Sequence, residues 1–109
     1  MISIDDFKKA EIRIGTIQSA EKIPEADRLI RLSVDFGEET PRQIVSGIAE
    51  HFPDPSVLLG KQCPFVTNLE PRTIRGYESN GMILAVGMPE GVFALMHPDR
   101  AVPPGSGAK

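Results

Sequence analysis

The chain has 109 residues, 40% hydrophobic and 25% charged, with 12 Lys/Arg against 15 Asp/Glu for a net charge of −3. That length suits one domain, read as residues 1–109. No apolar run approaches the roughly 20 residues of a helical membrane span. The acidic start (Met1-Ile2-Ser3-Ile4-Asp5-Asp6) does not suit a secretory signal, and a lone Cys63 excludes an internal disulfide and fits a reducing cytoplasm.

Ten Gly and ten Pro favour many short strands over a few long helices. Residues 2–7 allow one helical turn with Asp5 or Asp6 as cap. Ile12 and Ile14 alternate, and the apolar parity then shifts to Ile17, so Gly15 reads as a bulge in a long bent strand. Residues 21–27 form a loop around Pro24. Ile30, Leu32, Val34 and Phe36 alternate with Arg31, Ser33 and Asp35, the pattern of a strand with one buried face. Gly37-Glu38-Glu39 turns the chain into a partner strand over residues 42–48.

Asp54 as cap, Pro55 at the first helical position and Gly60 beyond the end spell a short helix. Residues 62–69 read as a strand near a sheet edge, because Pro64 cannot donate to a ladder. Residues 82–86 form an apolar strand, hairpin-paired with residues 92–96 through Met88-Pro89-Glu90-Gly91. The Pro/Gly tail, Pro103-Pro104-Gly105-Ser106-Gly107, is expected to be loosely held. Three strands, a helix and two or more strands match the OB-fold: a mainly β, five-stranded Greek-key barrel with a helix between strands three and four and extra elements at both termini. An SH3-like barrel competes but normally lacks that helix.

Net acidity counts mildly against nucleic-acid binding, yet a basic groove can sit on an acidic domain. Residues 68–82 join the fourth and fifth strands, where OB-folds grip nucleic acid. Arg72 and Arg75 bracket a β-branched pair, so two guanidiniums project near each other, suited to phosphate or to stacking on an unpaired base. Asn68 and Ser79 offer polar atoms to base edges or 2′-hydroxyls, Gly76 and Gly81 allow close approach, and Tyr77 offers a stacking face. The alternative is a solvated connector whose arginines pair with Glu70 and Glu78. Arg31, Arg28 and Lys22, and on the third strand Arg42, Gln43 and Ser46, could extend the surface. For any single one of them, charge for solubility alone is the first reading.

Asn68-Leu69-x-Pro71-Arg72-x-Ile74-Arg75-Gly76, followed by Ser79-x-Gly81-Met82, resembles the signature of the tRNA-binding domain family. That family includes appendages and β-chains of methionyl-tRNA synthetase and stand-alone tRNA-binding proteins. Asp6-Phe7-x-Lys9, Ile12-Arg13-Ile14-Gly15, Ala26-Asp27-Arg28-Leu29, Val34-Asp35-x-Gly37, Arg42-Gln43-Ile44-Val45-Ser46-Gly47-Ile48 and Leu95-x-x-Pro98 extend the resemblance nearly end to end. It implies an OB-fold that binds tRNA by its shape in support of a synthetase, without catalysis. It assigns contact to Asn68, Arg72, Arg75, Ser79 and Met82, then to Arg42, Gln43 and Ser46. Met82 reads first as a core methionine and second as a contact. Small members of the family form homodimers through both chain ends, which points to Ile2, Ile4 and Phe7 with Val92, Phe93 and Leu95. Alternatively, Ile4 and Phe7 cap their own barrel. An export-related chaperone branch shares the barrel and gives the second reading, binding of unfolded polypeptides.

An enzyme would need a polar cluster in a pocket. His51 and His97 lie far apart in sequence, and no HxxxH, CxxC, Gly-x-Gly-x-x-Gly or Gly-Lys-Ser/Thr spacing occurs. Cys63 reads as a packed core thiol. Neither a metal nor a cofactor is expected.

Overall fold

The computed structural model describes residues 1–87 and 91–108, so Met88, Pro89 and Glu90 of the expected hairpin connection lie outside the described residues. After a one-turn helix α1 (Ile4–Phe7) come β1 (Ile12–Lys22), β2 (Ile30–Asp35) and β3 (Arg42–Ser46). Two 3-10 turns, Ala49–His51 and Pro55–Leu58, lead to β4 (Gln62–Val66). The short strands β5 (Arg72–Ile74), β6 (Tyr77–Ser79), β7 (Met82–Ile83), β8 (Ala85–Gly87) and β9 (Phe93–Leu95) complete the described strands.

All pairings are antiparallel, and the main sheet runs β3-β2-β1-β4-β7, with β1 long enough to serve both halves. Alternation in β2 drives Ile30, Leu32 and Val34 fully inside, where they meet Ile17, Ile44, Cys63 and Phe65. The two sheet edges approach each other through β6, which hangs on β3, so the sheet closes into the OB-type barrel.

The expected helix after β3 is a 3-10 turn. The Asp54 side chain accepts from the Ser56 N–H, Pro55 starts the turn, and Leu58 is buried in the core. The cap of α1 is Ser3 rather than Asp5 or Asp6; Ser3 and Asp6 form a reciprocal capping box. The strand irregularity falls between Ile17 and Ser19, not at Gly15. Gly15 pairs regularly with Cys63, and a Cβ there would collide with Val34 and Phe36, so close packing explains the glycine.

β4 is not an edge strand: it lies between β1 and β7. Pro64 is tolerated because its backbone polar side faces β7. Its carbonyl accepts from the Leu84 N–H at 3.0 Å, where the last strand breaks into β7 and β8. The opposite Ile14 bonds elsewhere, to the C-terminal tail. That tail is not loose. The Ile14 N–H donates to Ser106 O (2.8 Å), and the Gly105 and Ala108 N–H groups donate to Ile14 O (2.7 Å) and Ile12 O (2.8 Å). Residues 12–14 of β1 lie beyond the stretch paired with β2, so their backbone groups facing away from β4 supply these partners.

Candidate nucleic-acid interface

β5 and β6 form a two-residue hairpin with Ile74 opposite Tyr77 and Arg72 opposite Ser79. Its turn residues, Arg75 (φ 52°) and Gly76 (φ 83°), are both left-handed, the geometry whose twist matches antiparallel strands. The hairpin is latched to β3. The Val45 N–H donates to Ser79 Oγ (3.0 Å), Gln43 Nε2 donates to Glu78 O (2.9 Å), and the Asn80 N–H donates to Gln43 O (2.9 Å). Ser79 is 5% exposed and its hydroxyl donates in turn to Gly81 O (3.2 Å). Ile74 and Tyr77 pack on Ile23, Ala26 and Val45.

Several residues expected to touch RNA are therefore held by the fold. Asn68 Oδ1 accepts from the Glu11 N–H (2.8 Å) and its Nδ2 donates to Lys9 O (2.7 Å), tying the motif to the segment before β1. Arg42 forks onto Glu38 (2.8 and 2.9 Å) and donates to Thr67 O (2.7 Å). Arg13 also reaches Glu38 (3.2 Å), and both guanidiniums lie over the Phe36 ring. Hydrogen bonds first from Arg42 and then from Arg13 hold the Glu38 carboxyl below its ordinary range despite partial desolvation. Gly81 packs against Val66 and Ile44 of the barrel and also lines the small pocket beside Arg72. Ser46 is half-buried opposite Ile30.

The cations of the hairpin itself are different. Arg72 and Arg75 are exposed, and neither forms an ion pair among the described residues, so the pairs with Glu70 and Glu78 are not made. They do not converge on one cavity. Arg75 lines a cleft of about 450 Å³ between the hairpin and the loop after β1, together with Glu25, Ala26, Asp27, Arg28 and Leu29. Arg72 lines a smaller pocket on the other side, beside Leu69 and Met82, and Ile74 borders both.

Met82 is 45% exposed, which removes the core reading, because β7 presents it outward while Ile83 is buried. Arg28 is exposed and carries only a surface pair with Glu50 (3.2 Å). Arg31 pairs with Glu21 (2.8 Å) and lies 5.3 Å from the Tyr77 ring centre, occupying a face expected to stack on a base. Lys22 ends β1 in solvent. A shallow groove lined by Ser19, Glu21, Arg31, Ser33 and Gln43 crosses the face of β2 and β3.

At the chain ends, α1 buries none of its residues, so Ile4 and Phe7 do not cap the barrel. Ile2, Ile4, Phe7 and Val92 are exposed, whereas Phe93 and Leu95 are half-buried against the core and Phe93 stacks on His51 at 4.1 Å. Cys63 is fully buried, as expected, and burial pushes its thiol up to about 11. Sequence reasoning missed Glu25, whose φ of 63° places it in the left-handed region beside Arg75. Only the proline before it, Pro24, hinted at a constrained loop. It also missed the Arg13–Glu38–Arg42 cluster, to which Arg13 comes from 25 residues before Glu38.

A family model described as "Putative tRNA binding domain" matches residues 12–107. A methionine–tRNA ligase of Bacteroides fragilis is 47% identical over 108 residues, covering 99% of this chain and 16% of the ligase. A methionine–tRNA ligase of Methanosphaerula palustris is 51% identical over 106 residues, 97% of this chain and 15% of that protein. The chain thus spans about a sixth of the length of these relatives. A methionyl-tRNA-synthetase-related protein from Pyrococcus horikoshii superposes with a TM-score of 0.92 at 38% identity, covering 100% of this chain and 98% of that one. The chaperone CsaA from Bacillus anthracis superposes with a TM-score of 0.86 at 33% identity, covering 100% and 99%.

Proposed function

The chain belongs to the tRNA-binding domain family, and from that premise we propose that it binds tRNA by its folded shape, without catalysis of its own. The observation that carries this reading is the rigidly latched β5–β6 hairpin holding Arg72 and Arg75 exposed and without ion-pair partners among the described residues, next to Arg28. A latched backbone presents the guanidiniums without the ordering cost of a loose loop, and phosphate contact supplies most sequence-independent affinity. The identity to ligase segments supports a role beside a methionyl-tRNA synthetase, and the exposed Ile2, Ile4, Phe7 and Val92 support a cytoplasmic homodimer through the chain ends.

The test is a salt titration of binding to bulk tRNA, double-stranded RNA and single-stranded DNA. A tRNA preference at moderate salt is expected, and equal affinity for all three would sink the reading. A second reading, capture of unfolded polypeptide, is favoured by the likeness to a chaperone and by the exposed apolar residues of α1. Suppression of client aggregation that tRNA does not compete away would establish it.

A further inference from the structure

The cleft between the loop after β1 and the β5–β6 hairpin has the chemistry of a pocket for one nucleobase. Among the described residues, Glu25 and Arg75 are the only non-glycine residues with left-handed φ, and both line this cleft. Left-handed backbone at a residue with a Cβ is unfavourable and persists where its surroundings enforce it, often at ligand sites. The enforcement is visible. Residues 23–29 are closed by the Ala26 N–H to Ile23 O (3.2 Å), the Leu29 N–H to Ala26 O (3.0 Å) and the Ile23 N–H to Leu29 O (3.2 Å), and the Ala49 N–H anchors Arg28 O (3.1 Å). The opposite wall is the hairpin latched by Ser79 and Gln43. Both walls are thus fixed before any ligand arrives.

Ala26, Leu29 and Ile74 give the cleft apolar surface, and its roughly 450 Å³ falls within the span of small-ligand sites. Arg28 and Arg75 supply planar cations suited to a stacked base or its phosphate. Glu25 and Asp27 supply carboxylates, which only accept hydrogen bonds. We propose that this cleft receives a single unpaired guanine of the bound RNA. The proposal rests on the tRNA-binding reading. Guanine is the base whose pairing edge places two donors, N1–H and the N2 amine, side by side, where one carboxylate can accept both. Adenine, cytosine and uracil set acceptors beside their donor, and a carboxylate repels these. Asp27 accepts the guanine edge while Arg75 covers its face or holds its phosphate.

The experiment uses the whole chain and hairpin RNAs that differ only in one bulged nucleotide: G, A, C, U or inosine. Anisotropy titrations are expected to show the G-bulged hairpin bound about tenfold more tightly than A, C or U. Inosine, lacking the N2 amine, falls toward the others. Asp27→Asn puts a donor beside an acceptor where guanine needs two acceptors, so the ratio of G-bulged to A-bulged affinity is expected to fall about tenfold. Equal binding of all hairpins, or a preference that survives Asp27→Asn, overturns the pocket. Total tRNA is titrated alongside. Binding of tRNA without base preference overturns the guanine pocket alone, whereas failure to bind any RNA overturns both readings.

Discussion

At the base of the β5–β6 hairpin, Asn68, Ser79 and Gln43 commit their polar atoms to backbone groups of β3, β6 and the segment before β1. Arg75 in the turn and Arg72 directly across from Ser79, two cations of the same motif, commit theirs to nothing among the described residues. A single run of sequence therefore carries two kinds of residue. One kind builds a platform and the other presents charge from it. Preorganisation explains why both are needed: a cation on a wandering loop loses on binding the entropy that the latch has already removed.

The comparison is broken most forcefully at the base. Ser79→Ala leaves the Val45 N–H without its partner in a buried site, and denaturant unfolding is expected to show a loss of about 1–3 kcal/mol. RNA affinity falls with it, but the slope of log affinity against log salt stays constant because every phosphate-binding cation is still present. A loss of affinity with unchanged stability would instead make Ser79 a contact residue. At the two exposed arginines the signs reverse. Replacing Arg72 and Arg75 together by Ala leaves stability within about 0.5 kcal/mol. It costs up to about 2 kcal/mol of tRNA affinity and lowers the salt slope by about one for each phosphate that the two guanidiniums neutralise. An unchanged slope would remove the hairpin from the interface.

How much of this division is legible in the sequence depends on range. The alternation of β2, the turn at Asp54-Pro55 and the order of strands are local patterns, and they lead to the barrel. The motif at residues 68–82 points to the right hairpin because its residues are contiguous. What each residue does there is not legible. Asn68 and Ser79 look like free donors and acceptors until Glu11, Lys9 and Val45 are brought against them from far along the chain. Pro64 misleads for a similar reason, since its missing N–H matters only relative to a strand that breaks beside it. The tail misleads because composition reports flexibility but not an available strand edge.

Arg42 sharpens the comparison from the platform side, since its fork is closed on Glu38. Glu38 has a depressed pKa, so the stability it contributes is present above the ordinary carboxylate value of 4.5 and is lost as pH falls through the lower folded value. Glu38→Gln is therefore expected to be less stable than the parent at pH 7, with the gap narrowing below about pH 4.5 as the parent's carboxylate protonates. Parallel stability curves across that range would show that the Arg13–Glu38–Arg42 cluster contributes nothing through charge.

The smallest expected change is the most diagnostic of the tip. Arg75 sits at φ 52° with its side chain in solvent, so the fold would be served at least as well by glycine. Arg75→Gly removes the left-handed strain but adds freedom to the unfolded chain. These oppose each other, so the melting point is expected to stay level or rise, by less than about 1 kcal/mol in stability. RNA affinity should nonetheless fall, and Arg75→Lys should recover charge but not planar stacking, restoring only part of it. A residue that costs stability where it stands and is needed only for binding is retained for its ligand. A loss of stability in Arg75→Gly would instead return Arg75 to the platform.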